Sequence, residues 1–288
     1  MVLGSDHPPS GRDLVRRAGT NALTVELQLH LGLGEDVVTG QITDGQWVTP
    51  VLAERLTFHA ATNPAPFAGK YTIVIPGHGD GSAGPGGDGY GTVTVTPAGY
   101  ASLSATLGDG SANVSQRVPI SKNGFWPLYV SLYSGKGSLL SWMRFADRPT
   151  DDFSGLLSWM KPNLPTHRFY PGGFTNETFA LGSRYVPPAL RTNRVMNFSN
   201  GFVELGGANL ASTILNDVLL TPTNRIINLS SNKLSMTITL SSGLFSGSAV
   251  RPDTGRPVPF KGVLLQKANY GTGLHSGTNR TGRVSIWQ

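Results

Sequence analysis

The chain has 288 residues, 39% of them hydrophobic and 14% charged, with 37 Gly, 20 Pro, no Cys and a formal net charge of +6. That length holds one large domain or two small ones, and the lack of Cys excludes disulfides and thiolate metal sites. Lys and Arg are scattered singly apart from Arg16-Arg17, against only 17 acids. The basic balance therefore reflects scarce carboxylates and argues against nucleic acid as a partner, and no run of about 18 apolar residues offers a membrane span.

Residues 1–20, rich in Pro, Gly, Asp and Arg, lack the apolar stretch of a signal peptide. They read as a flexible N-terminal tail, a linker or the cut edge of a longer protein. From Leu23 to Leu31 the chain alternates strictly, Leu23, Val25, Leu27, Leu29 and Leu31 against Thr24, Glu26, Gln28 and His30, which is the pattern of a half-buried strand. Further strands are predicted at 36–43, 46–57, 69–75, 90–97, 100–107, 113–121, 126–134 and 138–145, split by turn signals such as Asp44-Gly45, Asp109-Gly110 and Asn123-Gly124. After a Pro-rich joint from Pro162 to Pro165, strands are predicted near 168–174, 180–186, 194–199, 201–206, 213–220, 225–229, 234–240, 245–250, 258–267 and 281–287. No segment has a convincing helical period. So many short strands at close spacing predict sandwiches or barrels rather than an α/β fold.

The pentapeptide Leu-Leu-Ser-Trp-Met stands at 139–143 and again at 156–160, with a basic residue two places after each Trp, Arg144 and Lys161. It predicts two structurally equivalent strands. A longer repeat relates Leu23–Leu27 and Gly40-Gln41-Ile42 to Leu234–Ile238 and Gly247-Ser248-Ala249. It also relates Pro66–Ile73 to Pro259–Gln266 and Gly89–Val95 to Arg280–Ile286, in permuted order. The fold class expected is all-β: two antiparallel β-barrels of about eight or more strands each, related by internal duplication with permuted order. They are placed at 21–162 and 163–288, with the twin pentapeptides at the seam between them. Closing each sheet removes the edges an all-strand chain must otherwise protect.

Several stretches resemble a repeat module of very large bacterial exported proteins. They are Pro66-Phe67 with Tyr71-Thr72 and Val74-Ile75-Pro76-Gly77, Gly87-Asp88-Gly89-Tyr90-Gly91, Trp126-Pro127-Leu128-Tyr129, Gly155–Pro162, Phe169–Phe174 and Phe260–Lys267. Those proteins carry the module near the C-terminus, beside immunoglobulin-like or Calx-β modules. The resemblance covers nearly the whole chain from about residue 22. It implies a secreted or cell-surface β module and neighbouring modules of a larger protein, and it implies no reaction.

On the twin strands Leu140, Trp142 and Arg144 share one face, as do Leu157, Trp159 and Lys161. Facing outward, the indoles and their cations make a platform for sugar rings or aromatic ligands. Facing inward, the commoner fate of a strand Trp, each fills a barrel and its cation emerges at the rim. Trp126, Tyr129 and Tyr133 extend either arrangement. The candidate ligand-binding set is thus Trp126, Tyr129, Trp142, Arg144, Trp159 and Lys161. The loop His78–Gly89 carries Asp80 and Asp88 on Gly-rich backbone. Carboxylates and carbonyls there suit calcium, although the spacing is not that of an EF-hand and two carboxylates are few, so a solvated hairpin loop is the favoured reading; no other cofactor is implied. The six His stand at no zinc spacing. No Gly-x-Ser-x-Gly elbow occurs. Glycosidase chemistry needs two carboxylates about 5–10 Å apart, for which Glu26, Glu54, Asp80, Asp88, Glu177 and Glu204 form an unpaired pool.

The function expected is a non-catalytic, extracellular or cell-surface binding or structural module, meeting polysaccharide or a cell-envelope component. The alternative is a hydrolase, glycosidase or esterase-like, with carboxylates or His at a barrel rim. A third class is a carrier of an apolar ligand inside a small barrel.

Overall fold

A computed structural model describes residues 10–30, 36–79, 81–189 and 193–288, with strands and no helix among them. Leu31 and Asp80 lie outside the described residues. The chain divides into two compact units, 1–57 and 58–288. The first contains β1 (Ser10–Val15), β2 (Leu23–His30), β3 (Val37–Thr43) and β4 (Val48–Glu54), one antiparallel sheet in that order. The alternation of β2 sets the pleat. Val25 pairs with Ile42, Leu27 with Gly40 and Leu29 with Val38, so the apolar residues share one face.

The second unit begins with β5 (Gly69–Ile75), β6 (Gly89–Val95), β7 (Tyr100–Thr106), β8 (Val114–Pro119), β9 (Phe125–Leu132), β10 (Gly137–Phe145), β11 (Phe153–Lys161) and β12 (Phe174–Arg184). It continues with β13 (Asn200–Gly207), β14 (Ile214–Leu220), β15 (Ile226–Asn228), β16 (Leu234–Thr239), β17 (Leu244–Val250), β18 (Pro257–Leu265), β19 (Tyr270–Ser276) and β20 (Thr281–Trp287). These form two eight-stranded antiparallel barrels, each an up-and-down meander whose first and last strands pair, β5 with β12 and β13 with β20. The ladder is interrupted once in each, between β8 and β9 and between β15 and β16. Side chains bridge both gaps. Gln116 on β8 donates to the Pro127 carbonyl (3.0 Å) and accepts from the Trp126 indole (3.1 Å). Asn216 and Asn228 both donate to the Asn232 carbonyl just before β16, at 2.8 and 2.6 Å.

Alternation places one apolar face of each strand inside. The first barrel encloses Ile73, Val93, Leu103, Leu139 and Leu157 around an aromatic group of Tyr71, Trp126, Phe145 and Phe153, with ring centroids 4.9–6.4 Å apart. The second encloses Val203, Leu205, Val218, Phe245, Phe260 and Ile286. Each fully buried side chain of this size stabilises the fold by about 1.5–3 kcal/mol. A third cluster, Val74, Tyr90, Val263, Leu265 and Leu274, lies where the outer faces of β5 and β6 meet those of β18 and β19.

Two eight-stranded barrels are as expected, but their strands are drawn from other parts of the chain. Residues 23–54 form a sheet of their own, and Ser10–Val15, expected in the mobile tail, is the edge strand of that sheet. The first barrel runs from 69 to 184 instead of 21–162, because β12 must follow the Pro162–Pro165 joint to close on β5. That joint is a loop within the barrel. The repeats relate β5 and β6 to β18 and β20, strands that are adjacent in the first barrel and separated by β19 in the second. β19 escaped prediction because Gly271 and Gly273 break its apolar alternation.

The Gly-rich loop is not a solvated hairpin. Gly84, Pro85, Gly87, Asp88 and Gly89 are buried, and Gly86 and Gly87 donate their amides to Tyr170 and Thr281 (3.0 and 3.3 Å). A Cβ on Gly87 would strike the Gly282 backbone. Glycine is there for close approach of two chain segments.

Candidate functional site

The twin pentapeptides lie on neighbouring strands, β10 and β11, within the first barrel and not at a seam between barrels. Leu139 pairs with Trp159 and Ser141 with Leu157. Paired residues are therefore odd with odd, whereas the repeat spacing of 17 is an odd number. The two copies are one pleat out of phase. On β10, Leu139, Ser141 and Met143 point inward, leaving Trp142 58% exposed; on β11, Leu157, Trp159 and Lys161 point inward, and Trp159 is 0% exposed. Identical sequence thus gives one core Trp and one surface Trp.

The inward copy ends in a buried polar chain. Trp159 donates its indole N–H to the Tyr133 hydroxyl (3.0 Å), which donates to Asp109 Oδ2 (2.8 Å). Lys161 Nζ reaches the same oxygen at 2.7 Å and the Phe169 carbonyl at 2.9 Å, while the Ser111 amide donates to Asp109 Oδ1 (2.9 Å). Burial, with the Asp109 charge added, pushes the Tyr133 hydroxyl pKa far above its usual value. Lys161 does not emerge at a rim. It is ion-paired inside the barrel end, and Trp126 is likewise interior.

The outward copy belongs to a continuous surface. Trp142 pairs with Pro127 on β9, and Leu156 with Phe179 on β12; the β10–β11 register sets Trp142 beside Leu156. Pro127, Trp142, Leu156 and Phe179 therefore form one row across four strands. The next row is Tyr129, Leu140, Ser158 and Glu177. Tyr129, Trp142, Leu156, Met160 and Phe179 are all exposed. Phe125 meets Trp142 edge-on (6.3 Å, 90°), and the Arg144 guanidinium lies 5.3 Å over the Phe125 ring. A contiguous exposed apolar face of this kind is a candidate interaction surface. Leu156, Met160 and Phe179 were missed from sequence, since only strand pairing gathers them around Trp142.

The remaining candidates are dispersed. Asp88 accepts from the Gly77 amide (2.9 Å), Arg283 (2.9 Å) and the Thr272 hydroxyl (2.6 Å). Glu26 is held by Gln41 (2.7 Å) and Arg12 (3.4 Å). Glu177 lies on the exposed row, and Glu204 lines a hollow of about 220 Å³ with Arg283 and Ser285. His275 is buried, its Nε2 3.0 Å from the Gly206 carbonyl, and burial lowers its pKa. Among the described residues no three His, Asp or Glu gather closely enough to hold a metal ion.

The fold and site define an all-β protein with two barrels and one aromatic face. No protein-family model matches the chain, and no curated protein matches it. Among solved structures it is similar to a double mutant of the vaccine antigen transferrin binding protein B from Haemophilus parasuis Hp5, at 8% identity and a TM-score of 0.25, over 94% of this chain. The chain spans 66% of the length of that protein. A TM-score of this size carries no functional argument.

Proposed function

We propose that the chain is a non-catalytic, extracellular binding module whose ligand surface is the outer face of β9–β12, and that its ligand is polysaccharide. The observation that carries this reading is the outer row of half-buried Pro127 and exposed Trp142, Leu156 and Phe179, with Tyr129 and Arg144 beside it. Aromatic faces pack against the C–H surfaces of sugar rings, while Arg144, Ser158 and Glu177 offer hydrogen bonds to hydroxyls at the borders. The resemblance of the sequence to modules of exported bacterial proteins supports a cell-surface setting.

Glycan-array binding followed by titration tests the proposal. Trp142→Ala is expected to weaken retention about tenfold or more while the melting temperature stays unchanged. If wild-type protein retains no glycan, the polysaccharide reading falls; if Trp142→Ala binds as well as wild type, the surface lies elsewhere. Turnover of chromogenic glycosides or esters by wild-type protein would replace the reading with a hydrolase.

A further inference from the structure

Among the described residues of the first unit, the sheet β1–β4 has the character of a barrel wall with no opposite wall. None of the described residues between 10 and 57 is buried, yet one face of the sheet carries Val25, Leu27, Leu29, Val38, Ile42 and Val51. Its central hairpin repeats β16–β17. Leu23, Val25 and Leu27 correspond to Leu234, Met236 and Ile238, and Gly40 and Ile42 to Gly247 and Ala249. In the second barrel the apolar members of that set line the interior.

The glycine geometry and the inward face are shared, while the register is shifted by two residues: Gly40 pairs with Leu27, and Gly247 with Met236, the counterpart of Val25. A Cβ on Gly40 would strike the carbonyl oxygen of Glu26, the residue before its partner Leu27. A Cβ on Gly247 would strike that of Ser235, the residue before its partner Met236, and Gly91 stands in the same relation to Ser104 and Ala105 in the first barrel. Glycine placed in this way marks a strand bending sharply toward a barrel interior.

We propose that β1–β4 is half of an eight-stranded barrel, completed by the same sheet of a second copy of this chain. Two sheets of four strands supply the eight that close each barrel in 58–288. In an antiparallel sheet of four, β1 and β4 run in opposite directions. A two-fold axis along the barrel axis therefore sets β1 of one copy antiparallel to β4 of the other at both seams, and pairs every open edge. A sheet four strands wide and seven residues long covers about 19 by 23 Å. Two such faces and two new ladders bury about 1,000 Å² in total, the lower end of what a specific interface needs.

Light scattering of the full chain after gel filtration tests this directly. A mass of twice 30.5 kDa is expected at about 100 μM, falling to the monomer on dilution. Leu27→Asp, on the inner face, should give monomer at all concentrations. Gln28→Glu, on the outer face, should leave the dimer intact. Amide hydrogen exchange should show β1 and β4 protected in the dimer and open in Leu27→Asp. A wild-type mass of one chain at 100 μM overturns the proposal, as does a dimer that survives Leu27→Asp.

Discussion

Lys161 and Asp109 lie 52 residues apart in sequence and 2.7 Å apart in the barrel end. Removing one charge leaves the other buried and unpaired, so Asp109→Asn is expected to cost about 3–5 kcal/mol in urea unfolding. Replacing both by apolar groups of similar volume, Lys161→Met with Asp109→Leu, is expected to be near neutral. A single-variant loss below about 1 kcal/mol would show that water reaches the pair. His275 makes a pH prediction. Burial holds its folded pKa below the unfolded value, so the unfolded state binds the extra proton first. Stability is full above about pH 6.5 and falls as pH drops below it, by up to about 1.4 kcal/mol per unit. Melting temperatures from pH 7.5 to 5 should show this fall, with a shallower slope in His275→Gln. None of these three environments could be read from the sequence, because a charge or imidazole is assigned by partners that only folding brings near.

The twin pentapeptides show where strand patterning stops being informative. Period-two alternation located β10 and β11 and stated which residues share a face, but not which face is inward. That depends on the pairing register. Trp159→Ala removes a wholly buried indole and is expected to destabilise by about 3–5 kcal/mol. Trp142→Ala, on the surface, should change stability by no more than about 0.5 kcal/mol. Equal losses in the two variants, measured by denaturant unfolding, would contradict the opposite phases. The Gly-rich loop is an element of the same kind: its composition announced a turn, and its packing against Thr281 and Gly282 was invisible until the second barrel was in place. Gly87→Ala should therefore lower stability, whereas a solvated loop would tolerate it.

The two barrels of the second unit are joined by more than the chain. Thr72 donates its hydroxyl to the Leu264 carbonyl (2.7 Å), Tyr170 meets Thr281 at 3.0 Å, Asp88 meets Arg283 at 2.9 Å and Lys267 meets Asp152 at 2.9 Å. With the apolar cluster around Val74, Tyr90 and Leu274, they should make the barrels unfold together. Calorimetry is expected to give one transition for both, with equal calorimetric and van't Hoff enthalpies. Two resolved transitions would show that the barrels are independent.

The all-β class, most strands and the turns at Asp44-Gly45, Asp109-Gly110 and Asn123-Gly124 were legible in the sequence, because alternation and turn chemistry are local properties of a few residues. So was the repeated pentapeptide that carries Trp142 and Trp159. Strand membership, the inward or outward sense of each Trp, the partner of Lys161 and the assembly of the Pro127–Phe179 row were decided by tertiary structure. Each depends on which strands pair and in what register, and that is fixed by closing each barrel on its first and last strands, a contact between residues 75 or more positions apart.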